Sequence, residues 1–120
     1  MFSIVIPTYN NLKYLELCLK SLKINSKYDH EIIIHINEGI DGTINYLRDK
    51  DYKVTYTSKN EGVCVAFNKG AKQATKKYLV LAHDDMYFCP KWDVVFLNEL
   101  QNLPENSDFF LSGTMVQPFE

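Results

Sequence analysis

The chain carries no excess of basic residues. Lys and Arg total 13 against 15 Asp and Glu, giving a formal net charge of -2. A broad nucleic-acid surface needs a basic excess, so nucleic acid is not an expected partner. There is also no Cys-x-x-Cys pair. Cys18, Cys64 and Cys89 form an odd, widely spaced set, which argues against a secreted disulfide scaffold and for reduced thiols in the cytoplasm. Nor is there a long apolar run: Met1 to Ile6 is too short for a signal peptide or a membrane span. Repeats, low-complexity stretches and internal linkers are missing as well. What remains is one domain. Its 120 residues, 46% hydrophobic and 23% charged, suffice to bury a core.

Strand and helix patterns alternate along the chain. Ser3 to Thr8 is an apolar, β-branched run that ends in Pro7-Thr8-Tyr9-Asn10, the pattern of a buried strand. Asn10 or Asn11 is placed to cap the next helix, in which Leu12, Leu15, Leu19 and Leu22 form one face with Cys18 beside them. Glu31 to Ile36 is the second strand, and Asp41 is placed to cap a short helix using Ile44 and Leu47. Lys53 to Thr57 is a third strand, its polar residues pointing to an edge. Gly62 opens a helix whose small residues, Gly70 among them, permit close approach to a sheet. Tyr78 to Ala82 is the fourth strand, a helix follows from about Lys91 to Leu100, and Asp108 to Ser112 is the expected last strand.

This order predicts an α/β fold with a mostly parallel sheet and helices on both faces. Ligands of such sheets bind beyond the carboxyl ends of the strands, where strand order reverses. Asp84 and Asp85 follow the fourth strand there. Adjacent carboxylates repel unless a cation or hydrogen-bond donors balance them, and Mg²⁺ or Mn²⁺ with phosphate oxygens suits such a pair. A turn cap with a solvated neighbour is the alternative. Gly62 lets backbone N–H groups approach an anion at a helix start; a simple turn is its alternative. His35, inside a strand, fits a core or turn position. Tyr87, Phe88 and Trp92 fit either a sugar platform or the core. Lys69, Lys72, Lys76 and Lys77 fit a solvated helix face or attraction to a membrane surface.

Four motifs in sequence carry a resemblance. Ser3-Ile4-Val5-Ile6-Pro7-Thr8-Tyr9-Asn10 looks like the first strand of family 2 glycosyltransferases. Glu31 to Asn37 with Asp41-Gly42-Thr43 is similar to the family's second strand and helix start. Asn60-x-Gly62 with Asn68-x-Gly70, and then the acidic strand end, complete the order. The resemblance implies a Rossmann-like GT-A fold and inverting transfer of a hexosyl unit from a nucleotide-diphosphate sugar, with uracil the base by analogy. It implies that Pro7, Thr8 and Tyr9 line the base and ribose pocket, that Asn37 approaches the base, and that Asp41 supports that loop. Asn60 and Gly62 would shape the floor, Asp84 would contact sugar or ribose hydroxyls, and Asp85 would hold Mn²⁺ or Mg²⁺ in a DXD-like element.

Three positions depart from the family's pattern. His83 stands first in the acidic triplet, Ile36-Asn37 replaces the acidic residue after the second strand, and Phe67 replaces an Arg and reads as core. The family's catalytic domain continues beyond this length to an acceptor site and a general base. The chain is therefore expected to be the donor-binding half, ending at Gln117-Pro118-Phe119-Glu120 after a strand whose open edge invites self-association. The other readings are a nucleotide-diphosphate-binding module without transfer and a signalling receiver. A receiver would need an acidic pair after the first strand, where Pro7 to Asn10 stands. The acceptor, whether glycan, lipid or protein, is not legible. A cytoplasmic setting at the inner face of a membrane is expected.

Overall fold

A computed structural model describes residues 1–113. Four strands, β1 (Phe2–Tyr9), β2 (Glu31–Asn37), β3 (Lys53–Thr57) and β4 (Tyr78–Leu81), alternate with helices α1 (Leu12–Asn25), α2 (Thr43–Arg48), α3 (Val63–Ala71) and α4 (Trp92–Gln101). All strand pairs are parallel. The spatial order is β3-β2-β1-β4, so β3 is an edge strand as its composition suggested.

Side chains alternate across the sheet with the period of two that strands impose. Phe2, Ile4 and Ile6 of β1 and Ile34 and Ile36 of β2 join Leu15, Cys18, Leu19 and Leu22 of α1, Leu47 of α2 and Trp92 of α4 in one core. The leucine stripe of α1 thus buries as its spacing predicts. Val5 and Ile33 face the other side, where α3 lies. Gly70 makes that packing close: a Cβ there would stand 2.4 Å from Val5 Cγ1. Helices cover both faces because the chain changes direction after β3. It crosses back over β2 and β1 through α3 and places β4 beyond β1.

Asp108 to Ser112 does not form the expected fifth strand; residues 108–113 are irregular. A period-two run becomes a strand only with a ladder to join. Here the segment packs through side chains instead, with the Phe109 ring 6.0 Å from that of Tyr78, and it leaves the outer edge of β4 uncovered among the described residues. The expected chain-terminal residues Gln117 to Glu120 lie outside the described residues. Among the described residues, no helix is long and apolar enough to cross a membrane.

Candidate functional site

Strand order reverses at β1: β2 lies on one side of it and β4, which comes after β3 in the chain, on the other. Loops leaving β1 and β4 therefore part in opposite directions, and a crevice opens beyond their carboxyl ends. It has a volume of about 310 Å³, at the small end of the range for ligand pockets. Pro7, Thr8 and Tyr9 line it from β1, Asn37 from β2, Asn60, Gly62 and Val63 from the start of α3, and His83 and Asp84 from the loop after β4. Seven of the nine residues singled out from sequence meet in this one place. Asp41 and Asp85 are not among its lining residues.

Thr8 donates its hydroxyl to Asp84 Oδ2 at 2.9 Å, which ties the end of β1 to the loop after β4. Asp84 is half-buried, whereas Asp85 beside it is exposed. The backbone beneath them is anchored from α1. The Cys18 thiol lies 3.7 Å from the His83 carbonyl oxygen. Burial, with Asp84 and Asp85 nearby, pushes that thiol up to about 12, so it stays protonated and available to donate. Ser21 Oγ accepts from the Phe88 amide and Asn25 Nδ2 donates to the Phe88 carbonyl, at 3.0 and 2.7 Å. Phe88 and Trp92, 4.8 Å apart, belong to the core as one of the two readings held, while Tyr87 remains exposed. Phe67 is not core: it is half-buried, and its ring meets His83 edge-on at 5.7 Å. That contact places position 67 beside the loop that follows β4.

Asp41 lies outside the crevice lining and binds two loop and helix-start backbones. Its Oδ2 accepts from the Leu12 amide at 3.0 Å, and its Oδ1 accepts from the Thr43 hydroxyl and amide at 2.5 and 3.3 Å. Burial opposes its ionisation, but the Thr43 and Leu12 hydrogen bonds outweigh that and hold it below the usual carboxylate range. One carboxylate thus caps α1 and steadies the start of α2. Asn11 makes no side-chain cap. Asn10 Oδ1 instead accepts from the Ile40 amide at 2.9 Å, fastening the same two loops together.

Gly62 precedes α3 at φ +90°, a conformation that side chains with a Cβ rarely adopt, with open space where a Cβ would stand. Asn60 Oδ1 accepts from the Gly62 amide at 3.1 Å and shapes the turn. The first amides of α3 have no side-chain cap, so that helix end presents partial positive charge near the crevice. Asp84 and Asp85 offer oxygen ligands of the kind Mg²⁺ or Mn²⁺ takes when one or two carboxylates share it with phosphates. An all-protein cage is absent: no group of three or more His, Cys, Asp or Glu among the described residues is placed to hold a metal. His83, Asp85 and Cys89 likewise form no such group among the described residues.

Sequence reasoning missed the polar floor below Asn37. His35 is fully buried, as a core residue should be, but its ring joins Thr55 Oγ1 at 2.7 Å and Thr57 Oγ1 at 3.2 Å. Thr57 in turn reaches Asn37 Oδ1 at 2.9 Å. The parallel register Asn37↔Thr57 and His35↔Thr55 brings these residues together, and no local pattern in either strand reports that register.

Comparison with known proteins gives the family and the fold. The family model described as Glycosyl transferase family 2 matches residues 3–110. An uncharacterized glycosyltransferase of Rickettsia felis is 32% identical over 120 residues, covering 96% of this chain but 19% of that protein. The chain thus spans less than a fifth of that relative's length. The S. aureus TarS 1-349 structure in complex with UDP superposes with a TM-score of 0.73 at 24% identity, over 84% of this chain and 32% of that one. A mannosyltransferase from Pyrobaculum calidifontis, in complex with GDP-Man and Mn²⁺, gives a TM-score of 0.65 at 22% identity, over 78% and 30% of the two chains. The fold is the GT-A type.

Proposed function

The chain belongs to glycosyl transferase family 2, and from that membership we propose that it binds a nucleoside-diphosphate sugar in the β1/β4 crevice. On this reading it forms the donor side of an inverting hexosyl transfer. The observation that carries the proposal is the convergence of Thr8, Asn37, Gly62 and Asp84 on one crevice at the reversal of strand order. UDP in TarS and GDP-Man in the mannosyltransferase are the ligands of proteins with this fold.

The crevice divides by charge. Asp84 lines its β4 side, with Asp85 next to it in the chain, and uncharged Asn37 lines its β2 side, across β1. A diphosphate near two carboxylates is repelled unless a cation intervenes. Asp85, exposed beside the crevice, is the residue proposed to hold that cation, with Asp84 turned toward the sugar or ribose hydroxyls. A divalent metal bound there supplies positive charge to the departing diphosphate. The base and ribose lie against Pro7, Thr8 and Tyr9. Asp84, with Thr8 donating to it, is fixed in orientation and suited to accept from a hydroxyl. In the transfer, the acceptor oxygen bonds to the anomeric carbon as the bond to the phosphate oxygen breaks on the opposite face, which inverts the centre. A general base takes the hydroxyl proton, and it is assigned to no residue of this crevice. The setting proposed is cytoplasmic, with exposed Lys69, Lys72, Lys76 and Lys77 facing an anionic membrane surface, and the outer edge of β4 open to a further strand or a second copy.

Calorimetric titration with UDP, with and without Mn²⁺, tests the donor site. Saturable binding that strengthens with Mn²⁺ is expected. A folded sample that binds neither UDP nor GDP under either condition would remove the nucleotide from the crevice. Transfer from a UDP-sugar to an added acceptor separates an enzyme from a binding module.

A further inference from the structure

The two acidic residues sit at the centre of a tight turn, and the inference below rests on the reading of Asp85 as the residue that holds a cation. The Met86 amide donates to the His83 carbonyl at 3.2 Å, so Asp84 and Asp85 occupy the central positions between them. Asp84 is fixed from β1 by the Thr8 hydroxyl. Asp85 is exposed. With no packing to aim it, its direction is that of the turn's backbone, and whatever holds that backbone sets where the carboxylate points.

Two posts hold it. On the β4 side, the Ala82 amide donates to the Val5 carbonyl at 3.0 Å. On the other side stands Phe88, and both of its backbone groups end on side chains of α1. Its amide donates to Ser21 Oγ at 3.0 Å, and its carbonyl accepts from Asn25 Nδ2 at 2.7 Å. Residues 21 and 25 are neighbours on one face of a helix. Cys18, one turn before Ser21, brings its thiol to the His83 carbonyl at the base of the acidic turn. Residues 83–87 alone join the two posts, a short span that follows its ends.

The polarity of this grip is fixed. A backbone N–H can only donate and a carbonyl can only accept, so Ser21 must receive and Asn25 must give. Ser21 donates its own proton to the Cys18 carbonyl at 2.7 Å, which leaves its oxygen as the acceptor. Cys18 and Ser21 are buried, which keeps water from taking the place of either. We propose that Cys18, Ser21 and Asn25 are positioning residues for the metal, a polar stripe on α1 that holds the His83–Phe88 segment so that Asp85 can share a divalent cation with the diphosphate. None of the three lines the crevice, so they act only through the turn.

The test is calorimetric titration of the full chain with UDP, with and without Mn²⁺, read as the ratio of the two Kd values. A loss of folded protein lowers both affinities together and leaves the ratio alone, whereas a misplaced Asp85 lowers the ratio. Ser21→Ala strands the Phe88 amide. It should bring the ratio close to one, while affinity for UDP without Mn²⁺ stays within about twofold of the parent's. Asn25→Leu, of similar shape at a half-buried position, strands the Phe88 carbonyl and should do the same even if the alanine variant does not fold. Gly70→Ala, which strains the opposite face of the sheet, should leave the ratio at the parent's value. A Mn²⁺ effect that survives both Ser21→Ala and Asn25→Leu overturns this proposal and leaves the metal role of Asp85 standing. An equal fall in Gly70→Ala also overturns it, because the effect would then be one of stability. A parent chain that binds UDP with no response to Mn²⁺, or binds neither UDP nor GDP, overturns the metal reading and this proposal together.

Discussion

Asp93 should be the most costly carboxylate in the fold to lose, although it touches no ligand. Its side chain is fully buried. It accepts from the Lys27 amide at 2.9 and 3.2 Å, from the Tyr28 amide at 2.9 Å, from His30 Nε2 at 2.9 Å and from the Val94 amide at 3.0 Å. His30 Nδ1 accepts from the Phe2 amide at 3.0 Å, so the ring proton lies on Nε2 and is donated to Asp93. The carboxylate thereby pins α4, and with it the acidic turn, to the loop between α1 and β2. Asp93→Ala strands four donors in the interior. One unsatisfied buried group costs about 1–3 kcal/mol, and breaking a buried charged cluster about 3–5 kcal/mol. We expect a loss of about 3 kcal/mol or more. At this size each kcal/mol moves Tm by about 3–5 °C, so Tm should fall by about 10–15 °C.

The pH dependence gives a sharper check. Burial opposes ionisation of Asp93, yet the Tyr28, His30 and Lys27 hydrogen bonds hold it below the usual carboxylate range. A depressed folded value means that its stabilisation is complete above the unfolded value, about 3.9. That stabilisation is lost as pH falls through the folded value. Urea midpoints of the parent and of Asp93→Asn should therefore differ by a constant amount above about pH 5 and begin to converge as pH falls below about pH 4. An asparagine variant that melts within about 1 °C of the parent, or a gap unchanged down to pH 3, would refute the network as drawn.

Gly70→Ala should destabilise despite the better helix propensity of alanine. The gain is about 1 kcal/mol, whereas a Cβ 2.4 Å from buried Val5 demands a shift in the middle of the sheet, at about 1–3 kcal/mol; a raised Tm would show that α3 is not held so close. Asp85→Ala should leave Tm within about 2 °C, because the residue is exposed, and should abolish the strengthening of UDP binding by Mn²⁺; unchanged metal dependence in calorimetry would remove Asp85 from that role. Asp41→Ala should cost about 1 kcal/mol as a lost cap and weaken nucleotide binding by loosening the loop at Tyr9 to Asn11; affinity equal to the parent's would show that the loop holds without it.

Patterns along the chain were enough for the elements that bury a stripe or a face. Leu15, Leu19 and Leu22 declared α1, and the β-branched runs at Ile4 to Ile6 and Ile32 to Ile34 declared the two central strands, since burial on both faces selects for such runs. The same logic overreached at Asp108 to Ser112. Phe109, Phe110 and Leu111 have the composition of a strand, but composition cannot supply the neighbouring strand that a ladder needs. The crevice was legible for a different reason. A parallel sheet sends every βα loop to one end, so Thr8, Asn37, Gly62 and Asp84 had to share that end in whatever order the strands stood.

The order itself was the part that sequence could not report, and it decides which of those residues touch. Thr8 and Asp84 are 76 positions apart and meet because β4 takes the slot beside β1. Had β4 been added outside β3, Asp84 would stand three strands from Thr8, and no crevice would open between them. Asn37 meets Thr57 because β3 takes the slot on the other side of β2, in a register that places the two residues level. One reversal of direction after β3 therefore does two things at once. It separates the acidic turn from the polar floor by the width of β1, and it leaves each with partners that no window of local sequence contains. A ligand with a charged end and an uncharged end fits that separation.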